Sequence, residues 1–66
     1  MTQQSNKNNQ PELKEHDMVT LNESGAKGAV VYVYEGRGMY EVEFPREGQQ
    51  PIIMTLAKNE IQKTVI

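Results

Sequence analysis

Glu41 and Glu43 stand two residues apart in a segment that alternates apolar and polar side chains, so their carboxylates share one face of a predicted strand. Paired carboxylates about 5–10 Å apart hydrolyse glycosides, and positions i and i+2 of a strand fall near that separation. A domain of at most 66 residues offers no deep cleft for a sugar, and carboxylates alternating along a strand are typical of its wet face. We therefore predict that this pair keeps the strand soluble or meets a basic partner, without catalysis.

His16 is the single histidine of the chain, and it precedes Asp17. Adjacent residues of an extended chain point to opposite faces, so the two form no relay by themselves. A hydrolase would also need a positioned nucleophile. Structural zinc sites use mostly histidine and cysteine, and the chain has no cysteine. The sequence therefore predicts a surface position for His16 and a protein that is not an enzyme, with no catalytic residue, metal ligand or cofactor site.

Tyr32 and Tyr34 share the face of a predicted strand that lies opposite its presumed core face. Exposed aromatic side chains are enriched at interfaces because they bury much area at a low entropy cost. The tyrosines form a docking surface or a seam between two copies of the chain, or one of them caps a bent core; these alternatives stay open. The predicted partner-binding residues are Tyr32, Tyr34, Arg37, Met39, Glu41 and Glu43.

Short strands separated by turn signals must position these side chains, and this pattern predicts an all-β fold. Strands are expected at 17–21, 29–34, 39–44, 52–56 and 62–66, with one tight helical turn at 57–60 and loops at 22–28, 35–38 and 45–51. Five short strands are too few for a sandwich, and closing the sheet removes its open edges. We therefore predict a small five-stranded barrel over 11–66. Residues 1–10 are rich in Asn and Gln and predict a disordered tail.

Where polar and apolar residues alternate along a strand, the pattern predicts which side chains face the core. Strand 39–44 alternates cleanly and predicts Tyr40, Val42 and Phe44 inside. Strand 29–34 lacks polar alternation; Ala29, Val31 and Val33 are taken to face the core. A bulge would change that assignment, so which face of this strand points inward stays open. Leu13 is expected to close one end of the core.

Charge and composition limit the classes of partner that the chain is expected to bind. Seven Lys and Arg against nine Asp and Glu give a net charge of −2, and the basic residues are scattered singly, which disfavours nucleic acid and an anionic membrane surface. No apolar run is long enough to span a bilayer, and the first residues do not resemble a signal peptide. We therefore expect a cytoplasmic protein.

The chain resembles the small bacterial family catalogued as domain of unknown function 4926. The most specific pieces are the Gly-x-Val-Val-x-Val-Tyr segment at 28–34 and the Tyr-Glu-Val-Glu-Phe segment at 40–44, followed by Met54-Thr55-Leu56, a helical turn and Ile61. This resemblance implies an SH3-like barrel and assigns no reaction. The fold that it implies also resembles that of accessory subunits, in which such a barrel supports or docks onto something larger.

Three functions are compatible with these observations. The preferred interpretation is a non-catalytic protein-interaction module or accessory subunit of a bacterial complex, whose partner is another protein or a second copy of the chain. An antitoxin or immunity partner of a small toxin is one alternative. A nucleic-acid-binding small barrel is the other, although it would need a basic stripe that the sequence does not predict.

Overall fold

The computed structural model describes residues 13–64, which form five antiparallel strands in one sheet. The strands are β1 (Met18–Leu21), β2 (Lys27–Tyr34), β3 (Met39–Arg46), β4 (Gln49–Ala57) and β5 (Ile61–Lys63), with a 3₁₀ turn at Lys58–Glu60. Their order across the sheet is β4-β3-β2-β1-β5, so β4 and β5 are its edges within the described residues. The predicted all-β class, the five strands and the tight helical turn are confirmed. Within the described residues β4 and β5 do not pair with each other, so closure of the sheet into a barrel stays a prediction. The predicted tail at 1–10 and the end of the last predicted strand lie outside the described residues.

The hydrophobic core takes one side chain or more from every strand. β3 contributes most, because its alternation places each second residue inside. Leu13, which precedes β1, is buried at one end of this core, as predicted. Leu21 and Val33 pack partly against it. The buried residues are Leu13, Val19, Val30, Tyr40, Val42, Phe44, Leu56 and Ile61.

A β-bulge in β2 changes which residues face the core. Val30 pairs with Val42 and Tyr32 pairs with Glu41, so Val31 is the extra residue between them. Val30 is fully buried whereas Val31 is exposed. The predicted inward positions of Ala29, which pairs with Glu43 on the outer face, and of Val31 are therefore wrong, because the bulge reverses the alternation partway along the strand. Beyond the bulge the prediction holds for Val33, which packs against the core.

The predicted loop at 45–51 is also wrong, because β3 and β4 run on and turn at residues 47 and 48. Both prolines lie inside strands. Pro45 lies at the register shift between Phe44 and Arg46, where a proline is tolerated. Pro51 lies in β4, and an edge strand has room for a residue without an N–H.

The turn before β1 contains a residue with left-handed backbone geometry. His16 has φ 78°, and its N–H donates to the carbonyl of Val30 at 2.8 Å. Asp17 closes the turn, since its carboxylate accepts from the N–H of Lys14 at 2.9 Å. The same carboxylate oxygen lies 3.8 Å from the Lys63 ammonium. His16 is exposed, as predicted, and the neighbouring carboxylate is engaged by the turn and by β5.

Candidate functional site

Strand pairing brings most of the predicted partner-binding residues onto one outer face. Directly paired residues of antiparallel strands point to the same side of the sheet. The pairs run in three rows across β2, β3 and β4. The rows are Tyr34, Met39 and Ala57; Tyr32, Glu41 and Thr55; and Ala29, Glu43 and Ile53. We call the surface formed by Tyr32, Tyr34, Met39, Glu41, Glu43, Ile53 and Thr55 the tyrosine face.

Two aromatic rings form the apolar part of the tyrosine face. The ring centroids of Tyr32 and Tyr34 lie 4.9 Å apart, and the ring planes meet at 74°. Such an edge-to-face contact is a favoured geometry for aromatic pairs. Tyr32 remains 52% exposed. The ring of Tyr32 is therefore held by its neighbour and still available to a partner.

A carboxylate fixes the second ring from the next strand. The hydroxyl of Tyr34 donates to Oε2 of Glu41 at 2.5 Å. The hydroxyl of Thr55 donates to the same oxygen at 2.9 Å. These two bonds join β2, β3 and β4 through side chains on the outer surface. They also orient the Tyr34 ring, and through it Tyr32.

The same contacts shift the ionisation of both groups in opposite directions. The hydrogen bond to Glu41 raises the pKa of Tyr34 above its ordinary value of 10.0, because the phenol donates only while it is protonated. The hydrogen bonds from Tyr34 and Thr55 lower the pKa of Glu41 below its ordinary value of 4.5, because they stabilise the carboxylate. The pair therefore keeps a neutral phenol beside a charged carboxylate over a wide pH range.

Arg37 lies apart from the three rows. It belongs to the turn at 35–38 that joins β2 to β3, and its backbone N–H donates to the carbonyl of Tyr34 at 3.1 Å. Its side chain is exposed beyond the end of the face. The structure thus groups five of the six predicted residues and places Arg37 at their margin.

Two residues that the prediction left out, Ile53 and Thr55, complete the face from β4. Ile53 is 58% exposed, and Thr55 is exposed and bonded to Glu41. Their alternation with Leu56 indicates an outward position. Their place beside Glu43 and Glu41 depends on the β3–β4 register, which the misplaced loop at 45–51 concealed.

A cleft of about 680 Å³ adjoins the tyrosine face on the side of Tyr34. Its lining includes Lys14 and Lys58 as well as Glu35, so its charge is mixed. Tyr34 borders both this cleft and the tyrosine face.

Within residues 13–64, no three His, Asp or Glu side chains come together as a metal site. The same residues contain no helix of the length and hydrophobicity that a transmembrane span requires.

Comparisons with known proteins give no match. No family model matches the chain, and no curated protein and no solved structure does so either. The resemblance to the domain of unknown function 4926 therefore stays a prediction.

Removing the carboxylate from the tyrosine face tests this geometry. We expect Glu41→Ala to lower the pKa of Tyr34 toward 10.0, since the hydrogen bond to Glu41 is the main cause of its rise. Glu43→Ala is the matched control, because Glu43 lies one row away and is expected to leave the Tyr34 pKa unchanged. Resonances of the phenol carbons, followed by NMR through an alkaline titration, resolve each tyrosine. Equal Tyr34 pKa values in the wild type and Glu41→Ala would contradict the assignment.

The same pair predicts a pH window for stability. The contribution of Tyr34 is complete below pH 10.0 and is lost as the pH rises through its higher folded pKa. The contribution of Glu41 is complete above pH 4.5 and is lost as the pH falls through its lower folded pKa. The wild type should therefore exceed Glu41→Ala in stability between these two limits and approach it outside them. Urea unfolding across the pH range measures this difference.

Proposed function

We propose that this chain is a non-catalytic protein-binding module that folds as an SH3-like barrel and engages its partner through the tyrosine face. Three consecutive antiparallel hairpins, a 3₁₀ turn after β4 and a last strand paired back to β1 support the SH3-like assignment. Fold alone carries little weight for function. The proposal therefore depends on the chemistry of the face.

The observation that carries the proposal is the fixed, half-exposed ring of Tyr32. An aromatic side chain that is already ordered loses little rotamer freedom on binding, and such residues are frequent hot spots. Tyr34 and Glu41 supply that order through the ring contact and the hydrogen bond. The arrangement has the character of a binding surface because the same ring would be better buried if its role were only to stabilise the core.

The charges of the face favour a partner that presents lysine or arginine. Glu41 and Glu43 follow the tyrosines on β3, and both are partly exposed. A guanidinium can lie over the Tyr32 ring and donate to a neighbouring carboxylate at the same time. Both described hydrogen bonds of Glu41 end on Oε2, which leaves Oε1 to accept from the partner.

The wider setting of the proposal comes from the sequence. The resemblance to a bacterial family whose implied fold is also that of accessory subunits, the acidic balance and the lack of cysteine favour a bacterial accessory subunit that acts in the cytoplasm. The net charge of −2 suits a basic protein surface better than a polyphosphate.

Photo-crosslinking in the producing cells tests the proposal. A benzophenone amino acid is placed at Tyr32 or, as the matched control, at Gln62, which is exposed on β5. We expect a defined adduct with a basic protein from position 32 and none from position 62. Adducts of equal yield from both positions, or from neither, would speak against the tyrosine face as the docking surface.

The identified partner then allows an affinity measurement. We expect Tyr32→Ala to weaken binding at least about 30-fold, because aromatic hot spots contribute about 2 kcal/mol or more. Glu41→Ala should weaken it as well and make it less sensitive to salt. Val31→Ala is the control, since Val31 is exposed on the same strand but lies in the bulge. An affinity unchanged by Tyr32→Ala would contradict the proposal.

A further inference from the structure

β4 is an edge strand that carries no charged residue over its nine positions. Proteins usually protect such an edge with lysine or another charge, because its free N–H and C=O groups can pair with another strand. Three consecutive apolar side chains of β4 are exposed instead: Ile52 by 41%, Ile53 by 58% and Met54 by 39%. The edge is therefore unprotected by charge and apolar on both faces.

The hydrogen-bond alternation of β4 identifies which backbone groups face outward. The N–H of Lys58 donates to the carbonyl of Gly38 at 2.9 Å, which makes that pair a hydrogen-bonded one. Antiparallel ladders alternate between bonded and non-bonded pairs, so Leu56, Met54 and Ile52 direct their backbone groups to β3. Ile53 and Thr55 then direct theirs away from the sheet.

Both ends of this outward-facing stretch are blocked. Pro51 lies two residues before Ile53, so its backbone nitrogen is also on the open side, and it carries no hydrogen. Ala57 lies two residues after Thr55, and its N–H already donates to the Glu60 carboxylate at 2.7 Å. The stretch open to pairing is thus limited to Ile53 and Thr55, with Met54 at its centre.

We propose that this stretch pairs with the same stretch of a second copy of the chain, antiparallel and about a two-fold axis at Met54. In that register Ile53 exchanges both backbone hydrogen bonds with Thr55 of the second copy, and the symmetric pair does the same. Pro51 then lies opposite the Ala57 whose N–H is occupied, so each blocked group faces the other. A foreign strand would need no blocked backbone groups opposite those of β4, whereas a second copy supplies them by symmetry.

The side chains fit the same register. On the inner face Met54 meets its own copy, and Ile52 lies opposite Leu56 of the other chain, so this face of the seam is apolar. Leu56 is already in the core, and the partly exposed Ile52 gains an aliphatic neighbour. No like charges meet on the paired strands, because β4 has none. This dimer does not rest on the proposed function. It uses backbone groups of Ile53 and Thr55, whose side chains also belong to the tyrosine face, and Tyr32 lies two strands away on β2.

A single cysteine at the axis tests the register, since the wild-type chain has none. Non-bonded antiparallel pairs place Cα atoms about 4.5 Å apart, within the range that a disulfide spans. We expect Met54→Cys to form a disulfide-linked dimer under mild oxidation at least about tenfold faster than Met18→Cys, an exposed position three strands away. Equal rates would overturn the proposal.

Ile53→Pro tests the backbone pairing itself. It removes an outward N–H and spares the ladder to β3, whereas the control Ile53→Ala keeps the N–H. We expect the full chain to sediment as a dimer, Ile53→Ala to remain one, and Ile53→Pro to raise the dissociation constant at least about tenfold. Amide NMR spectra confirm that each variant is folded. A monomeric wild type at millimolar concentration, or a dimer that Ile53→Pro leaves intact, would overturn the inference.

Tyr32→Ala separates this inference from the proposed function. It should weaken binding of the foreign partner and leave the mass of the dimer unchanged. A dimer that dissociates in Tyr32→Ala would place the seam on the tyrosine face and overturn the β4 pairing. A dimer that dissociates in Ile53→Pro, and that persists in Tyr32→Ala while binding of the foreign partner is lost, would support both proposals separately.

Discussion

Gly28→Ala is expected to lower the free energy of unfolding by about 3 kcal/mol, the upper part of the range for overpacked interiors. Gly28 is buried in β2. A methyl group there would lie 2.6 Å from the backbone carbonyl oxygen of Glu43 and 2.9 Å from the Phe44 ring. The carbonyl belongs to β3, so it cannot retreat without separating the two strands. In a domain of this size each kcal/mol corresponds to about 4–8 °C in Tm.

Two further variants separate crowding from other effects of the methyl group. Gly36→Ala is the matched control: Gly36 has φ 77° and open space around it, so only backbone strain of about 1 kcal/mol is expected. Phe44→Leu in the Gly28→Ala background removes part of the ring contact and leaves the carbonyl contact in place. It should therefore restore little stability. Urea unfolding followed by circular dichroism measures all three, and a Gly28→Ala loss no larger than that of Gly36→Ala would refute the crowding argument.

Leu56→Ala is expected to cost about 3 kcal/mol, within the range for truncating a buried leucine. Among the nine residues of β4, all of them described, Leu56 is the one that is buried. It pairs with Tyr40 and attaches the strand to the core just before the 3₁₀ turn. The cavity left by the truncation would therefore weaken both the core and the attachment of the edge strand.

The control for Leu56→Ala is Val31→Ala. Val31 is 40% exposed at the bulge, so its truncation should cost well under about 1 kcal/mol. Hydrogen exchange adds a local readout: the β4 amides that bond to β3 should lose more protection in Leu56→Ala than those of β1. Uniform loss across the sheet would indicate that Leu56 has no special role in holding β4.

β3 shows why part of the fold was readable from the sequence. One of its faces packs and the other is wet, so Tyr40, Val42 and Phe44 could be assigned inside from alternation alone. β2 has apolar residues on both sides of the bulge, and no polar residue marks where the core-facing positions change from even to odd numbers. The bulge depends on pairing with β3, which a strand pattern does not specify.

The two prolines at positions 45 and 51 show a second limit on what the sequence alone could predict. A proline is a loop signal when the place of its strand in the sheet is unknown. Pro51 is compatible with β4 because β4 is an edge, and that depends on the order of all five strands. The prediction of the tyrosine face also lacked information on strand pairing. Its residues on β2 and β3 were predicted together across a short hairpin, whereas Ile53 and Thr55 required the β3–β4 register.

The bulge at Val31 has a consequence for how sequences of this kind should be aligned. Before it, even-numbered residues of β2 face the core, and after it odd-numbered ones do, so the strand holds one residue more than its ladder uses. A relative that lacks this residue could keep Val30, Tyr32 and Tyr34 in their places with a regular strand. A gap inside a strand is normally penalised in alignment. Here it should be allowed at position 31, because a gap placed in the turn at 35–38 would assign the tyrosines of such a relative to the wrong face.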